Sequence, residues 1–340
     1  MRVERKGPDL QPGVLAGRVT LVIPLRDEAP TLLPFLAALE SQTITPHQII
    51  FVDGGSRDGT VGLLQAWVAG HAASRLILTA GALPGEARNR GIDVATTEWV
   101  ALLDAGTVPD PTWLEALITP LIEQPGLDVV YGNYEPITET RFERAASFAY
   151  VPPKIERTEG LIRGPSVASC LLRRSIWARV GGFPAGRAGE DLIFLDRLAT
   201  AGAQTGWAPT ATVWWRLRPD LRSTYQRFRL YSEHNIRAGL QRYWHHGIAR
   251  QYLVYGLLLG LAVLDDPWWV GAIVGLFVLR AGKRIWRRRE GAPLGSAWRW
   301  IPSVAVLLLA IDLATFHGWL EALLPKGAER ENPAGSPTDR

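Results

Sequence analysis

Between residues 18 and about 217, short apolar runs alternate with amphipathic stretches. The run VTLVIPL (19–25) is apolar almost throughout and predicts a buried strand, followed by a helix ending near Ser41. QIIFVD (48–53) predicts the next strand and TVGLLQAWVAG (60–70) the next helix. The order continues with RLILT (75–79), ARNRGIDVA (87–95), WVALLD (99–104), a helix over 111–123 and a strand over 128–133. Strands that alternate with helices imply an α/β fold, a mainly parallel sheet with helices on both faces. Ligands of such sheets bind at the carboxyl ends of the strands.

A second texture begins near Pro219. Residues 221–246 place Arg, Tyr, Phe, Trp and His at short spacing, a pattern that predicts an amphipathic interfacial segment over 219–250. Apolar runs follow at 252–264 and 267–279, separated by Asp265 and Asp266, and a third at 301–320. A full span needs roughly 20 residues, so the first two runs are short and the third is long enough. Between the second and third lies RAGKRIWRRRE, a basic loop that predicts a cytoplasmic face beside a membrane. The boundaries that follow are a tail over 1–17, a sheet domain over 18–218, the interfacial segment, membrane-associated helices over 251–325 and a disordered tail over 326–340.

Composition narrows the picture. Net charge is only +4 over 340 residues, from 37 basic and 33 acidic groups, which gives no nucleic-acid signature. The one cysteine, Cys170, excludes an internal disulfide and a cysteine-based zinc cluster. No apolar run precedes the first strand, so no secretory signal is expected. Most of the 14 Trp lie beyond residue 200, as in a membrane-interface belt.

The candidate chemistry sits at the strand ends. Arg26, Asp27 and Glu28 follow the first strand in IPLRDE, and Asp53 ends the second in VDGGSRDGT. Gly54 and Gly55 permit close backbone approach, and Asp58 and Thr60 suit a helix cap. Asp53 is not required by such a turn, so its presence points to a ligand. Arg88 and Asn89 in GEARNRG suit a diphosphate or a ribose, since arginine offers a planar, permanent charge. Asp104 ends the fourth strand in LLDAGT, where it can hold ribose hydroxyls or a metal on the diphosphate.

Together these four strand ends resemble family 2 glycosyltransferases of the GT-A fold, over roughly residues 18–232. The resemblance implies a nucleotide-sugar donor, with uridine the commoner base. It places Glu28 and Asp53 at the base and ribose, Pro24 and Arg26 around that pocket, Gly55 beside it, and Arg88 and Asn89 near the diphosphate. Asp104 matches the first acid of the Asp-x-Asp motif, but Gly106 stands where the second acid usually holds a divalent cation. A Mg²⁺ or Mn²⁺ would then be held by Asp104, the diphosphate and water, or arginines would supply the charge instead. RRSIWARVGGFP (173–184) leading into AGEDLIFLDRLATAG (188–202) resembles the Gly-Gly-Phe turn and acidic pair of the family. This implies Asp191 as the general base of an inverting transfer and Glu190 as an acceptor-side support. Gln226, Arg227 and Arg229 in YQRFRLY resemble the Gln-Arg-x-Arg-Trp motif of processive members, with Leu230 in place of the Trp. They are expected to hold the diphosphate or an acceptor.

The acceptor implied by this layout is a membrane lipid or a lipid-linked glycan, with the catalytic domain on the cytoplasmic face. Residues 164–170 fit a pocket lining or a plain loop equally, and Trp207, Trp214 and Trp215 fit sugar stacking or core. Two other readings keep the fold. A nucleotidyltransferase-like enzyme would carry a Gly-rich loop where this chain has LRDEAP. A degenerate domain would bind donors without catalysis, against which the intact Glu190–Asp191 pair argues.

Overall fold

The structure is a computed structural model, and it describes residues 11–186, 189–288 and 297–324. The strands are β1 (Val19–Leu25), β2 (Gln48–Asp53), β3 (Ser74–Leu78), β4 (Trp99–Leu103), β5 (Thr107–Pro109), β6 (Val129–Ile137), β7 (Ile155–Arg157), β8 (Gly160–Ile162), β9 (Ser169–Arg173) and β10 (Thr205–Arg216). The helices of the sheet domain are α1 (Pro12–Ala16), α2 (Ala29–Glu40), α3 (Thr60–Ala69), α4 (Pro84–Asp93), α5 (Trp113–Ile118), α6 (Pro120–Glu123), α7 (Arg141–Tyr150), α8 (Arg174–Arg179) and α9 (Glu190–Thr200). Four more follow: α10 (Leu221–Arg237), α11 (His245–Leu264), α12 (Trp268–Arg288) and α13 (Ile301–Leu323).

Eight strands form one mixed sheet in the order β3-β2-β1-β4-β9-β6-β10-β5. β1 pairs in parallel with β2 and β4, and β2 with β3, while β9 runs antiparallel between β4 and β6. The expected mainly parallel sheet is therefore present, with β9 and β5 as its antiparallel members.

Alternate strand positions feed two cores. Leu21, Ile23, Phe51, Leu103 and Val213 pack with Phe35 of α2 and Trp113 and Leu117 of α5. Val22, Val52, Leu102, Tyr131 and Cys170 pack with Ile92 of α4 and Phe194 and Leu198 of α9. Burial on both faces explains why these strands read as continuous apolar runs rather than alternating ones. The helix expected over 111–123 is split into α5 and α6 by Pro120, whose ring cannot continue the first helix. Part of the expected N-terminal tail is α1, which buries Leu15 and Ala16 in the first core.

The C-terminal helices differ from the sequence expectation in two ways. The first apolar run is extended by polar residues at its start, so α11 has 20 residues. The basic segment is not all loop, because Arg280, Lys283, Arg284, Arg287 and Arg288 lie on α12. Arg280 pairs with Asp312 of α13, which is fully buried, and so uses its charge inside the helix bundle. Residue 289 and the tail beyond 325 fall outside the described residues. α10, which falls in the expected interfacial segment, lies along α13. Gly318 permits that crossing, since a Cβ there would stand 2.1 Å from the Arg229 carbonyl oxygen. Ser232 donates to the Thr315 carbonyl at 2.6 Å across the same contact. A third core of α7, α12 and α13, with Phe148, Ile285, Leu307 and Leu308, ties these helices to the sheet domain.

Candidate active site

The loops after β1 and β2 are fastened to each other. Asp27 donates its backbone N–H to Ser56 Oγ at 2.8 Å, and the Arg57 N–H donates to Asp27 Oδ1 at 2.7 Å. The Glu28 N–H donates to Thr60 Oγ1 at 2.9 Å, and the Ala29 N–H to Asp58 Oδ2 at 3.0 Å. Asp27 takes φ of 56°, a left-handed conformation that this web holds in place. Asp58 also accepts from the Thr60 N–H and hydroxyl, which holds its carboxyl below the usual carboxylate range.

Asp53 turns out to be part of its own turn. It is 2% exposed, and its Oδ1 accepts from the N–H groups of Gly55 and Ser56, both at 2.9 Å. Its other oxygen accepts from the Ser56 hydroxyl. The turn therefore does use Asp53, contrary to the sequence expectation, because an aspartate at a strand end satisfies the N–H groups two and three residues on. Gly54 and Gly55 do allow close approach, and what approaches is the chain itself. A Cβ on Gly54 would stand 2.7 Å from the Ala82 carbonyl oxygen, and Gly55 has φ of 97°. Pro24 is buried in β1, and Arg26 is half-exposed beside Asp27 at 3.5 Å.

Arg88 is the hub of the site. It lies on α4, is 4% exposed, and its Nη2 donates to Asp104 Oδ1 at 2.7 Å. Its Nη1 reaches Glu190 Oε1 at 3.5 Å. One guanidinium therefore joins motifs from α4, the end of β4 and the start of α9. Its Nε is buried with no hydrogen-bond partner among the described residues. Glu190 is 8% exposed, and its carboxyl is pushed up by burial and by neighbouring Asp191, with Arg88 opposing. Asp191 is partly exposed, and its Oδ1 accepts from the Leu192 N–H at 2.8 Å. Both acids occupy the first turn of α9, where the helix dipole favours negative charge.

Asn89 does something other than face an open pocket. Its Nδ2 donates to the Phe183 carbonyl at 2.9 Å, while its Oδ1 accepts from Trp177 Nε1 at 3.0 Å and the Phe183 N–H at 2.9 Å. The carboxamide pins the Gly-Gly-Phe turn against α4, and Gly182, at φ of 65°, leaves room for it.

Asp104 keeps a side chain 37% exposed, with Oδ1 spent on Arg88. At Gly106, φ is 79° and an added Cβ would lie 2.9 Å from Glu28 Oε2. The Glu28 carboxylate, which also accepts from Thr31 Oγ1 at 2.6 Å, thus borders the position where the second acid was sought. No group of three or more His, Cys, Asp or Glu suited to a metal is formed among the described residues. The open oxygen of Asp104 fits a cation that takes its other ligands from a diphosphate and water.

The remaining candidates fall elsewhere. Arg229 is paired with Glu321 of α13, Arg227 lies over the Tyr231 ring at 4.5 Å, and Gln226 is exposed. None of these contacts reaches Arg88, Asp104 or Asp191. Ser169 and Cys170 are core residues of β9, and burial pushes the Cys170 thiol up. Trp207 sits under Arg157 and beside Tyr131, Trp215 packs on Tyr134, and Trp214 is exposed with its Nε1 donating to Asp110 at 2.6 Å. Sequence reading missed the link from α9 to α10: a Cβ on Gly189 would stand 2.5 Å from Leu240 Cδ1 and 3.0 Å from Asn235 Oδ1. The glycine before the acidic pair was the only visible signal for it.

The comparison with known families adds one observation to this geometry: residues 20–179 match the model of glycosyl transferase family 2. These residues, just under half of the chain, are similar to family 2 glycosyl transferases. The domain is similar to the uncharacterised glycosyltransferase YibD of Escherichia coli (strain K12), 30% identical over 163 residues, 48% of this chain and 46% of that protein. It is also similar to glycosyltransferase AglE of Haloferax volcanii, 29% identical over 192 residues, 54% of this chain and 62% of that protein. The chain thus spans about half the length of the curated relatives it matches. In fold, it is similar to a mannosyltransferase of Pyrobaculum calidifontis, solved with GDP-Man and Mn²⁺. The TM-score is 0.52 at 17% identity, covering 88% of this chain and 87% of that one. The matched residues contain Arg88 and Asp104, and Glu190 and Asp191 lie just beyond them.

Proposed function

We propose that this protein is an inverting glycosyltransferase that takes a sugar from a nucleotide-sugar, with a uridine base expected, and passes it to a membrane lipid or lipid-linked glycan. The observation that carries the reading is the Arg88 bridge. It holds Asp104, at the donor edge, and Glu190, on the acceptor side, to one guanidinium, and Asp191 follows Glu190 directly.

In this reading the nucleotide lies across the ends of β1, β2 and β4, beside Glu28 and the Asp53 turn. Asp191 accepts the proton of the acceptor hydroxyl as that oxygen bonds to the anomeric carbon. The bond from that carbon to the diphosphate oxygen breaks, the configuration inverts, and a nucleoside diphosphate leaves. Arg88 keeps Asp104 and Glu190 placed, and Asn89 keeps the turn before α9 in register. A divalent cation at the open oxygen of Asp104 would neutralise the leaving diphosphate, as fits the Mn²⁺ bound by the structural relative.

Membrane attachment is supported by two helices, His245–Leu264 and Trp298–Leu323, each long and apolar enough to cross a membrane. The first is almost wholly exposed, with Leu253, Leu257, Val263 and Leu264 at its surface, while half of the second is buried against the protein. An exposed apolar face of this extent suits a bilayer. The basic residues Lys283, Arg284 and Arg287 of α12 favour the cytoplasmic side.

The test is a panel of nucleotide-sugars with purified full-length protein, with and without Mn²⁺, read by thermal shift and by release of nucleoside diphosphate. One donor class is expected to raise the melting temperature and release its nucleotide. Donor binding without any release, with lipid acceptors supplied, would point to a binding domain and overturn the catalytic reading.

A further inference from the structure

A cavity of about 670 Å³ opens on the far side of the sheet domain from β3, between β6, β10, α7 and α12. Its strand residues Asn133 and Glu135 continue the face of β6 that carries Val129 and Tyr131. That is the face on which α4 and α9 pack, so the cavity shares a sheet face with Glu190 and Asp191.

The cavity is electrically unbalanced. Arg144, Lys154, Arg163 and Arg288 line it against two carboxylates, Asp110 and Glu135. Glu135 is already spent on Lys154 at 2.7 Å and Arg163 at 2.6 Å. Neither Arg144 nor Arg288 forms an ion pair among the described residues. Arg288 is 8% exposed; its Nη1 donates to the carbonyls of Phe148 and Ala149, and its Nε is buried without a partner. A buried arginine with no counter-charge is expensive unless something anionic joins it.

Next to the cavity lies an apolar groove of about 560 Å³, lined by Phe142, Ala145, Leu221, Trp300, Val306 and Leu307. α7 contributes to both: Arg144, Ser147 and Phe148 to the cavity, Phe142 and Ala145 to the groove. At 3.6 residues per turn these sets occupy neighbouring faces of one helix. A cationic recess and an apolar groove thus flank α7 where it meets the helices that carry the exposed apolar surface.

We infer that this pair of recesses anchors the acceptor, taking the phosphate of a lipid-linked glycan at Arg144 and Arg288 and its hydrocarbon chain along the groove, which leaves a hydroxyl of the glycan to meet Asp191. The inference rests on the proposed lipid-acceptor reading and gives it a chemical class, a phosphate-bearing lipid. Arginine suits the head because its fork matches phosphate oxygens and its charge is permanent.

The test titrates the full chain, in non-ionic detergent, with dodecyl phosphate, dodecanol and inorganic phosphate, read by calorimetry. Dodecyl phosphate is expected to bind about tenfold or more tightly than either other probe, since losing a charged hydrogen bond costs about 1.5–3 kcal/mol. Arg288→Gln and Arg144→Gln are each expected to weaken dodecyl phosphate by a similar factor, and Val306→Asp to weaken it while sparing inorganic phosphate. Arg144 is exposed, so its variant keeps the test intact if Arg288→Gln fails to fold. Equal binding of dodecanol, or wild-type affinity for dodecyl phosphate in Arg144→Gln, would overturn the inference. The nucleotide-sugar panel run on the same preparation separates the two proposals: no donor bound, with dodecyl phosphate still held by Arg144, would sink the transferase reading and leave the lipid-phosphate site standing.

Discussion

The Nη2 of Arg88 stands 2.7 Å from Oδ1 of Asp104, and the same guanidinium reaches Glu190 at 3.5 Å. Two acids that belong to distant parts of the chain are held near each other by one buried cation. Replacing Arg88 by Met leaves them facing without compensation. Asp104 is partly exposed and can be rehydrated, so the loss is that of a charged hydrogen bond, about 1.5–3 kcal/mol, and chemical denaturation should show it. Arg88→Lys is expected to recover little, because a single ammonium cannot reproduce the fork. Wild-type stability in Arg88→Met would show that the bridge holds nothing.

Asp191 is partly exposed at the start of α9, which suits the proton-accepting role proposed for it. Asp191→Asn is expected to keep donor affinity and lose turnover by about 10²–10⁴-fold, the usual contribution of a positioned base. Initial rates of nucleotide release, with donor affinity measured in parallel, decide it. Unchanged turnover would remove Asp191 from the mechanism.

Glu190 has its carboxyl raised above the ordinary glutamate value of 4.5 by burial and by Asp191. The folded protein therefore binds this proton more tightly than the unfolded chain. The stability this lends is complete below 4.5 and is lost as pH rises through the raised value. Denaturation curves of wild type and Glu190→Gln across pH 4 to 8 should show the wild type losing ground to the variant as pH rises from about 4.5. A constant gap between the two curves would contradict the assignment.

Gly106 is tied to its conformation as well as to its missing carboxylate. A Cβ there meets Glu28 Oε2 at 2.9 Å, with φ at 79°. Gly106→Asp should therefore destabilise by about 1–3 kcal/mol, as expected for a strained backbone position, rather than simply restore a metal ligand. Thermal melts with and without Mn²⁺ would show it; a Mn²⁺-dependent gain in melting temperature above wild type would reverse this account.

At Gly318 the crossing of α10 and α13 leaves no room for a methyl group, which would stand 2.1 Å from the Arg229 carbonyl. Gly318→Ala should destabilise by about 1–3 kcal/mol, the range for overpacking a close contact. Melting in detergent that matches wild type would mean the helices separate there without loss.

The sequence by itself determined the strands, because burial on both sheet faces demands apolar runs such as 19–25 and 99–103, and these are local signals. It also determined that acidic and basic groups sit at strand ends, since chain order alone puts Asp53 and Asp104 there. What those groups do to one another was decided by tertiary structure. Asp53 is spent on its own turn, Asn89 on the Phe183 turn, and Arg229 on Glu321, because each partner is set by packing rather than by spacing. The bridge from Arg88 to Glu190 spans 102 positions, and no periodicity reports a contact of that separation. The same holds for the cavity beside α7: Arg144 and Arg288 lie far apart in the chain, and only the docking of α12 onto α7 brings both to one cavity.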